Sequence, residues 1–172
     1  MIERKSAIIA PIPEAEFLVQ ELRNQFDPSA VHGVPAHVTV LFPFKHPDAI
    51  TGEVLKSLRT VFSSVQQFDF QLSNIDEFPG VVFLKPTKKE EFVSITEKVR
   101  EVFPENPPYE GRFSKINPHL TIGHELGDRF EECRRQAEDI RAKLPFNARV
   151  GEIYLMTSLD GEWTVKEVFA LS

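Results

Sequence analysis

The feature that most restricts the fold is a pair of matched segments, Ala36-His37-Val38-Thr39-Val40 and Pro118-His119-Leu120-Thr121-Ile122. Side chains of a strand alternate between faces, so His and Thr share one side of each segment and Val38, Val40, Leu120 and Ile122 the other. An apolar face anchored in a core, with polar groups held out from it, is what rigid placement of working side chains requires. The surrounding order repeats too. Residues 6–11 read as a strand, and Pro13 and Glu14 open a helix to about Phe26 with Leu18, Leu22 and Phe26 on one stripe. The first His-x-Thr strand spans 36–42, Val54, Leu55, Leu58, Val61 and Phe62 recur at helical spacing, and Phe68, Phe70 and Leu72 alternate through a strand at 67–74.

After the turn Phe78-Pro79-Gly80 the series begins again with a strand at 81–84. Thr87 and Glu90 have the spacing of a capping box ahead of a helix that buries Phe92, Ile95, Val99, Val102 and Phe103. The second His-x-Thr strand, 119–123, precedes a helix from Asp128 carrying Phe130, Ala137, Ile140 and Leu144. Strands at 148–156 and 162–171 then close the chain around an Asp160-Gly161 hairpin turn. Residues 1–75 and 80–157 thus predict two copies of one α+β unit, packed as a single two-lobed domain of 172 residues.

Composition removes several alternatives. The balance of 20 basic and 26 acidic residues, a net charge of −6, argues against coating long nucleic acid, which needs many phosphates neutralised. A local site for one phosphate or one RNA end remains compatible with it. The single Cys133 excludes an internal disulfide and a cysteine zinc cluster, and it has no histidine partner in sequence that would make it reactive. No apolar run approaches the length of a membrane span, and Ala7–Ala10 is too short for a signal-peptide core, so a cytoplasmic protein is expected. The 15 Phe residues carry no polar handle and are expected mostly in the core, as is Trp163.

Two histidines on parallel scaffolds suit phosphoryl transfer at a phosphodiester without metal. One neutral imidazole takes a proton from the attacking oxygen, and one protonated imidazole gives a proton to the leaving oxygen. An unperturbed pKa near 6.5 makes both forms accessible. The hydroxyls of Thr39 and Thr121 would donate to the non-bridging oxygens, where charge builds. Gly123, on the His119 face by parity, would leave room for substrate, while His124 would point to the opposite side unless the strand ends first.

Paired His-x-Thr strands half a chain apart resemble the two-histidine phosphoesterase superfamily, in particular its 2′-5′ RNA ligase-like and cyclic nucleotide phosphodiesterase branch. The resemblance covers nearly the whole chain in element order, including Phe83-Leu84-Lys85-Pro86 and the strand of Trp163. It implies an α+β fold of two lobes, each an antiparallel-rich sheet with helices outside, whose His-x-Thr strands face a central cleft. It further implies a monomeric enzyme without metal or other cofactor, opening 2′,3′-cyclic phosphates or making and breaking 2′,5′ linkages. His37, Thr39, His119 and Thr121 take the catalytic roles by this resemblance, with His119 activating water and His37 serving the leaving group. Ligase and hydrolase stay open, as do an RNA end and a small cyclic nucleotide as substrate. A nucleotide-binding module without turnover and a metallohydrolase are the alternatives.

The long segment 104–118 delivers the chain to His119, which makes Arg112 and Lys115 candidate phosphate contacts and Tyr109 and Phe113 candidate base platforms. His32 and His46 fall in Pro/Gly-containing loops and are expected exposed, with no H-x-x-H or H-x-H ligand spacing. Lys85, Lys88 and Lys89 read as solvated surface.

Overall fold

The computed structural model describes residues 3–113 and 115–172. Its strands are β1 (Arg4–Pro11), β2 (His37–Leu41), β3 (Phe68–Phe78), β4 (Val81–Pro86), β5 (Leu120–Gly123), β6 (Phe146–Val150), β7 (Glu152–Leu159) and β8 (Glu162–Ala170). The helices are α1 (Glu16–Phe26), the short α2 (Pro28–Val31), α3 (Gly52–Ser63), α4 (Lys89–Val102) and α5 (Phe130–Arg141). All eight strands form one sheet in the order β6-β3-β4-β5-β2-β1-β7-β8. Each neighbouring pair is antiparallel.

The sheet divides into two four-stranded lobes at the β2–β5 junction, where the strands share a single rung, Val38 opposite Leu120. The helices exchange between the lobes. α1 follows β1 but packs on β5 and α5, whereas α4 follows β4 but packs on β2 and α3. Each lobe is therefore assembled from both halves of the sequence, giving the α+β, two-lobed, pseudo-duplicated architecture that the repeated order implied.

Burial follows strand parity. Ile8, Ala10, Val38, Val40, Leu84, Leu120 and Ile122 join Leu18, Leu58, Phe62, Phe92 and Ile95 of the helices in the main core. The alternate residues Ala7 and Ile9 join Val34 and Met156 in a second, smaller cluster, against which Phe42, Tyr154 and Trp163 pack. β1 is consequently buried on both faces. The main core carries most of the aromatic packing, with Phe68, Phe70 and Phe92 meeting at centroid distances of 5.1–6.2 Å.

Three expectations about local structure are corrected. The Thr87–Glu90 capping box does not form. Thr87 Oγ1 instead accepts from the Gln71 backbone N–H at 2.8 Å, and Thr87 N–H donates to the Gln71 carbonyl at 2.8 Å. That use of Thr87 to continue the β3–β4 ladder leaves Lys88, at φ 54°, as the residue that caps α4. The segment expected as one strand, 148–156, is two strands broken at Gly151, and they go to opposite ends of the sheet: β6 pairs with β3 and β7 with β1. Trp163, expected in the core, is half-buried beside the smaller cluster. Among the described residues, no helix is long and apolar enough to cross a membrane.

Candidate active site

The four matched side chains converge at the junction of the lobes. Extending the Val38–Leu120 rung by one residue each way sets His37 across from Thr121 and Thr39 across from His119, on the face without helices. The two imidazoles then occupy a diagonal of that square, with Cβ atoms about 7 Å apart for such a diagonal pair, within reach of one phosphate. All four line a cleft of about 500 Å³.

The imidazoles are oriented alike. His37 Nδ1 lies 2.7 Å from the Pro35 carbonyl and His119 Nδ1 lies 2.7 Å from the Asn117 carbonyl. A carbonyl only accepts, so each Nδ1 carries the hydrogen, and each Nε2 is left with its lone pair for the cleft. The segment supplying the His37 carbonyl is tied down from α1. Arg23 Nη2 donates to the Val34 carbonyl at 3.1 Å, Glu16 Oε1 accepts from Ala36 N–H at 2.5 Å, and Ile12 N–H donates to the Ala36 carbonyl at 2.8 Å. Arg23 is itself held in a buried ion pair with Asp27, at 3.1 Å. His119 is supported differently, by the rings of Phe78 and Phe83, each with its centroid 5.3 Å away.

Both imidazoles are hard to protonate in the free protein. Burial, with the Arg23 guanidinium next in weight, pushes His37 from 6.5 down to about 4, against the opposing pull of the Pro35 carbonyl and Asp27. Burial also holds His119 below 6.5, partly offset by the Asn117 carbonyl, and His124 adds to the depression. Both rings thus lie below the unperturbed value of 6.5 assumed from the sequence, His37 the further.

A backbone irregularity comes after each His-x-Thr motif. Ile9 pairs with Thr39 but Ile8 with Leu41, so Val40 is an extra residue in β2. Phe83 pairs with Thr121 but Val82 with Gly123, so Ile122 is the corresponding extra residue in β5. Such a bulge reverses the facing of every residue beyond it in the strand. Val40 and Leu41 both enter the main core, and Phe42 turns to the cleft. In β5 the same step sends Gly123 to the core, the reverse of the expectation, and His124, which lies past the end of the strand at Gly123, lines the cleft, as the strand-end exception allowed. A Cβ on Gly123 would meet Cys133 Sγ at 2.7 Å, so its missing side chain serves close packing against α5, not substrate space. Cys133 is buried there, its thiol pushed up to about 11 chiefly by that burial.

The loop candidates divide. Tyr109 lines the cleft together with Thr39, and burial raises its pKa above 10.0. Its backbone is left-handed at φ 51°, followed by Glu110 at φ 57° and Gly111 at φ 77°, and its N–H donates to the Phe42 carbonyl at 2.6 Å. Two consecutive non-glycine residues in that region are costly, and here they seat the ring over the first motif. Arg112 and Phe113 line an adjoining recess of about 220 Å³ beyond Phe42 and Tyr109, with Arg112 paired to Glu110 at 3.0 Å. Lys115 is exposed and lines neither space.

Residues missed by the sequence reading complete the cleft. His32 lines it, with Nδ1 2.7 Å from Glu162 Oε1. Gly33, at φ +99°, lets this loop approach β8 so closely that a Cβ would lie 2.7 Å from the Trp163 carbonyl oxygen. Phe42 and Trp163 meet across the cleft floor at 6.3 Å. The one sequence sign of the re-aimed residues is the pair of adjacent small or apolar residues after each Thr, Val40-Leu41 and Ile122-Gly123, where strict alternation fails. Among the described residues, no three His, Cys, Asp or Glu side chains are grouped to hold a metal ion.

The chain is similar over 98% of its length, and 98% of theirs, to E. coli LigT complexed with 3′-AMP (TM-score 0.63, 14% identity) and in apo form (TM-score 0.61, 16% identity). TT0787 of Thermus thermophilus aligns over 99% of this chain and 98% of its own, with TM-score 0.61 and 19% identity. Proteins named "Putative phosphoesterase" in Bacillus cytotoxicus and Bacillus mycoides are each 25% identical across 95% of this chain and 94% of their own length. The family model of the 2′-5′ RNA ligase superfamily matches residues 10–162, so this chain belongs to that superfamily of two-histidine phosphoesterases.

Proposed function

We propose that this protein is a metal-independent phosphodiesterase that opens 2′,3′-cyclic phosphates or cleaves 2′,5′ linkages at an RNA end or on a small nucleotide, working as one domain. The observation that carries the reading is the pair of imidazoles lining one cleft, each with its Nδ1 bonded to a carbonyl, which leaves Nε2 as the working atom. Water attacks phosphorus and loses its proton to one Nε2, the P–O bond to the ribose oxygen breaks, and that oxygen takes a proton from the other. Thr121 donates to a non-bridging oxygen, and Thr39 does the same on the first motif.

The surroundings argue for His37 as the base. With Arg23 beside it His37 resists protonation more strongly, while His119, packed against aromatic rings, is the easier ring to protonate once a phosphodiester anion enters. This order is the reverse of the one implied by resemblance. The nucleotide assignment draws support from the similar fold of LigT, crystallised with 3′-AMP, ATP and NADP+.

The test is turnover of 2′,3′-cyclic nucleotides and 2′,5′-linked dinucleotides in excess EDTA. His37→Ala and His119→Ala should each lose about 10²–10⁴-fold in kcat/KM. A substrate with an activated leaving group should restore His119→Ala and leave His37→Ala inactive; the opposite rescue reverses the roles. Near-wild-type turnover in both variants, or activity that EDTA abolishes and zinc restores, overturns the mechanism.

A further inference from the structure

The cleft continues past its aromatic floor. Phe42 and Tyr109 line it on one side and a recess of about 220 Å³ on the other, so the two spaces share a wall. They differ in what they offer a ligand. Among the described residues lining the cleft there is no Lys or Arg, whereas the recess carries Lys5 and Arg112 beside the ring of Phe113.

The loop is shaped to present these groups. Three successive left-handed residues, Tyr109 at φ 51°, Glu110 at φ 57° and Gly111 at φ 77°, turn the chain back on itself. Phe113 thereby returns to Tyr109, edge to face, with ring centroids 5.5 Å apart. The turn wins little burial, since Phe113 stays 67% exposed. Strain of this kind is found where a backbone serves a ligand clamp. Arg112 and Lys5 are paired with Glu110 at 3.0 Å and Glu3 at 2.5 Å, but all four side chains are exposed. Exposed pairs hold their partners weakly, so a phosphate can take the place of either carboxylate. The opposite exit from the cleft is less suited. Past His124 and Glu125 it leads to a groove of about 160 Å³ whose cation, Arg129, donates to the Gln25 carbonyl at 2.9 Å and lies 4.4 Å from the centroid of the buried Phe26 ring.

We propose that the recess is a second nucleotide subsite, taking the nucleotide that precedes a cyclic-phosphate end. Its base stacks on Phe113, and the phosphodiester joining it to the terminal nucleoside meets Arg112 and Lys5. The proposal rests on the nucleotide reading of the cleft given above. Every base has a π-face, so such a subsite reads the length of the chain and not its sequence. A mononucleotide fills the cleft alone; an RNA end fills cleft and recess together.

The test compares adenosine 2′,3′-cyclic monophosphate with the di- and triadenylates that end in the same cyclic phosphate. Turnover gives kcat/KM for each. Trp163, the single Trp of the chain and a cleft residue, reports binding by fluorescence in a His37→Ala/His119→Ala background. The dinucleotide should bind at least about tenfold more tightly than the mononucleotide, as one base stacked on an aromatic ring allows, and the third nucleotide should add much less. Its affinity should also fall more steeply with salt, by about 0.7 in the slope of log K against log [salt] for one further phosphate. Phe113→Ala should cut the ratio of di- to mononucleotide affinity about fivefold or more, and Arg112→Ala should reduce the added salt slope. Both side chains are exposed, so neither substitution threatens the fold. Equal affinity and kcat/KM for mono- and dinucleotide overturn the proposal while leaving the cyclic-phosphate reading standing. A length preference that both variants leave intact overturns it too. A preference that depends on Phe113, without turnover of any of the three, keeps the subsite and removes the catalytic reading. Failure of all three to bind overturns both.

Discussion

Replacing Arg23 tests whether the buried pair behind the first motif both holds the fold and sets the state of His37. The side chains of Arg23 and Asp27 are 3% and 4% exposed. Arg23 donates from Nε and Nη2 to Asp27 Oδ2 at 3.2 and 3.1 Å and from Nη2 to the Val34 carbonyl at 3.1 Å. Arg23→Met leaves Asp27 buried without its cation, a loss of about 3–5 kcal/mol. At about 2–4 °C per kcal/mol for a chain of this size, the melting temperature should fall by roughly 6–20 °C. Arg23→Met with Asp27→Leu removes both charges and should recover most of that loss. Recovery stops short because Asp27 Oδ1 also accepts from Ser29 N–H at 3.1 Å as the cap of α2, a contact worth about 1 kcal/mol. In both variants the His37 pKa, followed by NMR, should rise from about 4, since the Arg23 charge is the second contribution to its depression. Equal destabilisation of single and double variants refutes the ion-pair argument. An unmoved His37 titration in a folded variant refutes the electrostatic one.

Other outcomes rest on the same geometry. Under the proposed roles, with His37 neutral down to about pH 4 and His119 held below 6.5, kcat/KM should be bell-shaped with its maximum on the acid side of 6.5; a plateau extending to pH 8 contradicts the burial argument. For stability the sign is fixed: His37 is harder to protonate folded than unfolded, so its contribution is full above pH 6.5 and lost progressively as pH falls toward 4. That loss is at most about 3 kcal/mol, reduced by solvent reaching the half-buried ring, and urea titrations of wild type and His37→Phe across this window measure it. Gly123→Ala, with Cβ contacts of 2.7 Å to Cys133 Sγ and 3.0 Å to Phe26 and Leu126, should cost about 1–3 kcal/mol in thermal unfolding. Thr121→Ala should lower kcat/KM about 10–10³-fold with a smaller effect on KM, because one donor to the developing charge is removed.

Much of this arrangement was legible from local pattern. Parity alone puts His37 and Thr39 on one face and Val38 and Val40 on the other, and the repeated order anticipates the duplicated lobes. Long-range pairing was less accessible. Nothing in Phe68–Phe78 says that this strand joins the lobe of the second motif, and the apolar alternation running through Gly151 conceals that β6 and β7 part to opposite ends of the sheet. Thr87 matched a capping pattern, yet a neighbouring strand offered its hydroxyl a better partner in Gln71. Gly123 and Phe42 were hidden for another reason: a single bulge inverts the parity beyond it, and only the doublets Val40-Leu41 and Ile122-Gly123 betray it.

The duplication has a chemical consequence that its symmetry alone would not supply. Two identical environments would give two imidazoles with the same proton affinity, so the order in which they take the one proton that acid–base catalysis requires would not be set by the protein. The backbone treats the motifs alike: each has a carbonyl two residues before the His on Nδ1 and an extra residue after the Thr. The difference enters through the groups that the lobes bring behind them. α1 places Arg23 next to the first ring, whereas β3 and β4 place Phe78 and Phe83 against the second. A cation penalises the protonated state of His37 directly, while aromatic rings exclude water from His119 without adding positive charge. Under the proposed mechanism, entry of a phosphodiester anion would therefore favour a proton on His119 before His37, and the same exchange of helices that builds each lobe from both halves of the chain is what makes the surroundings of the two histidines unequal.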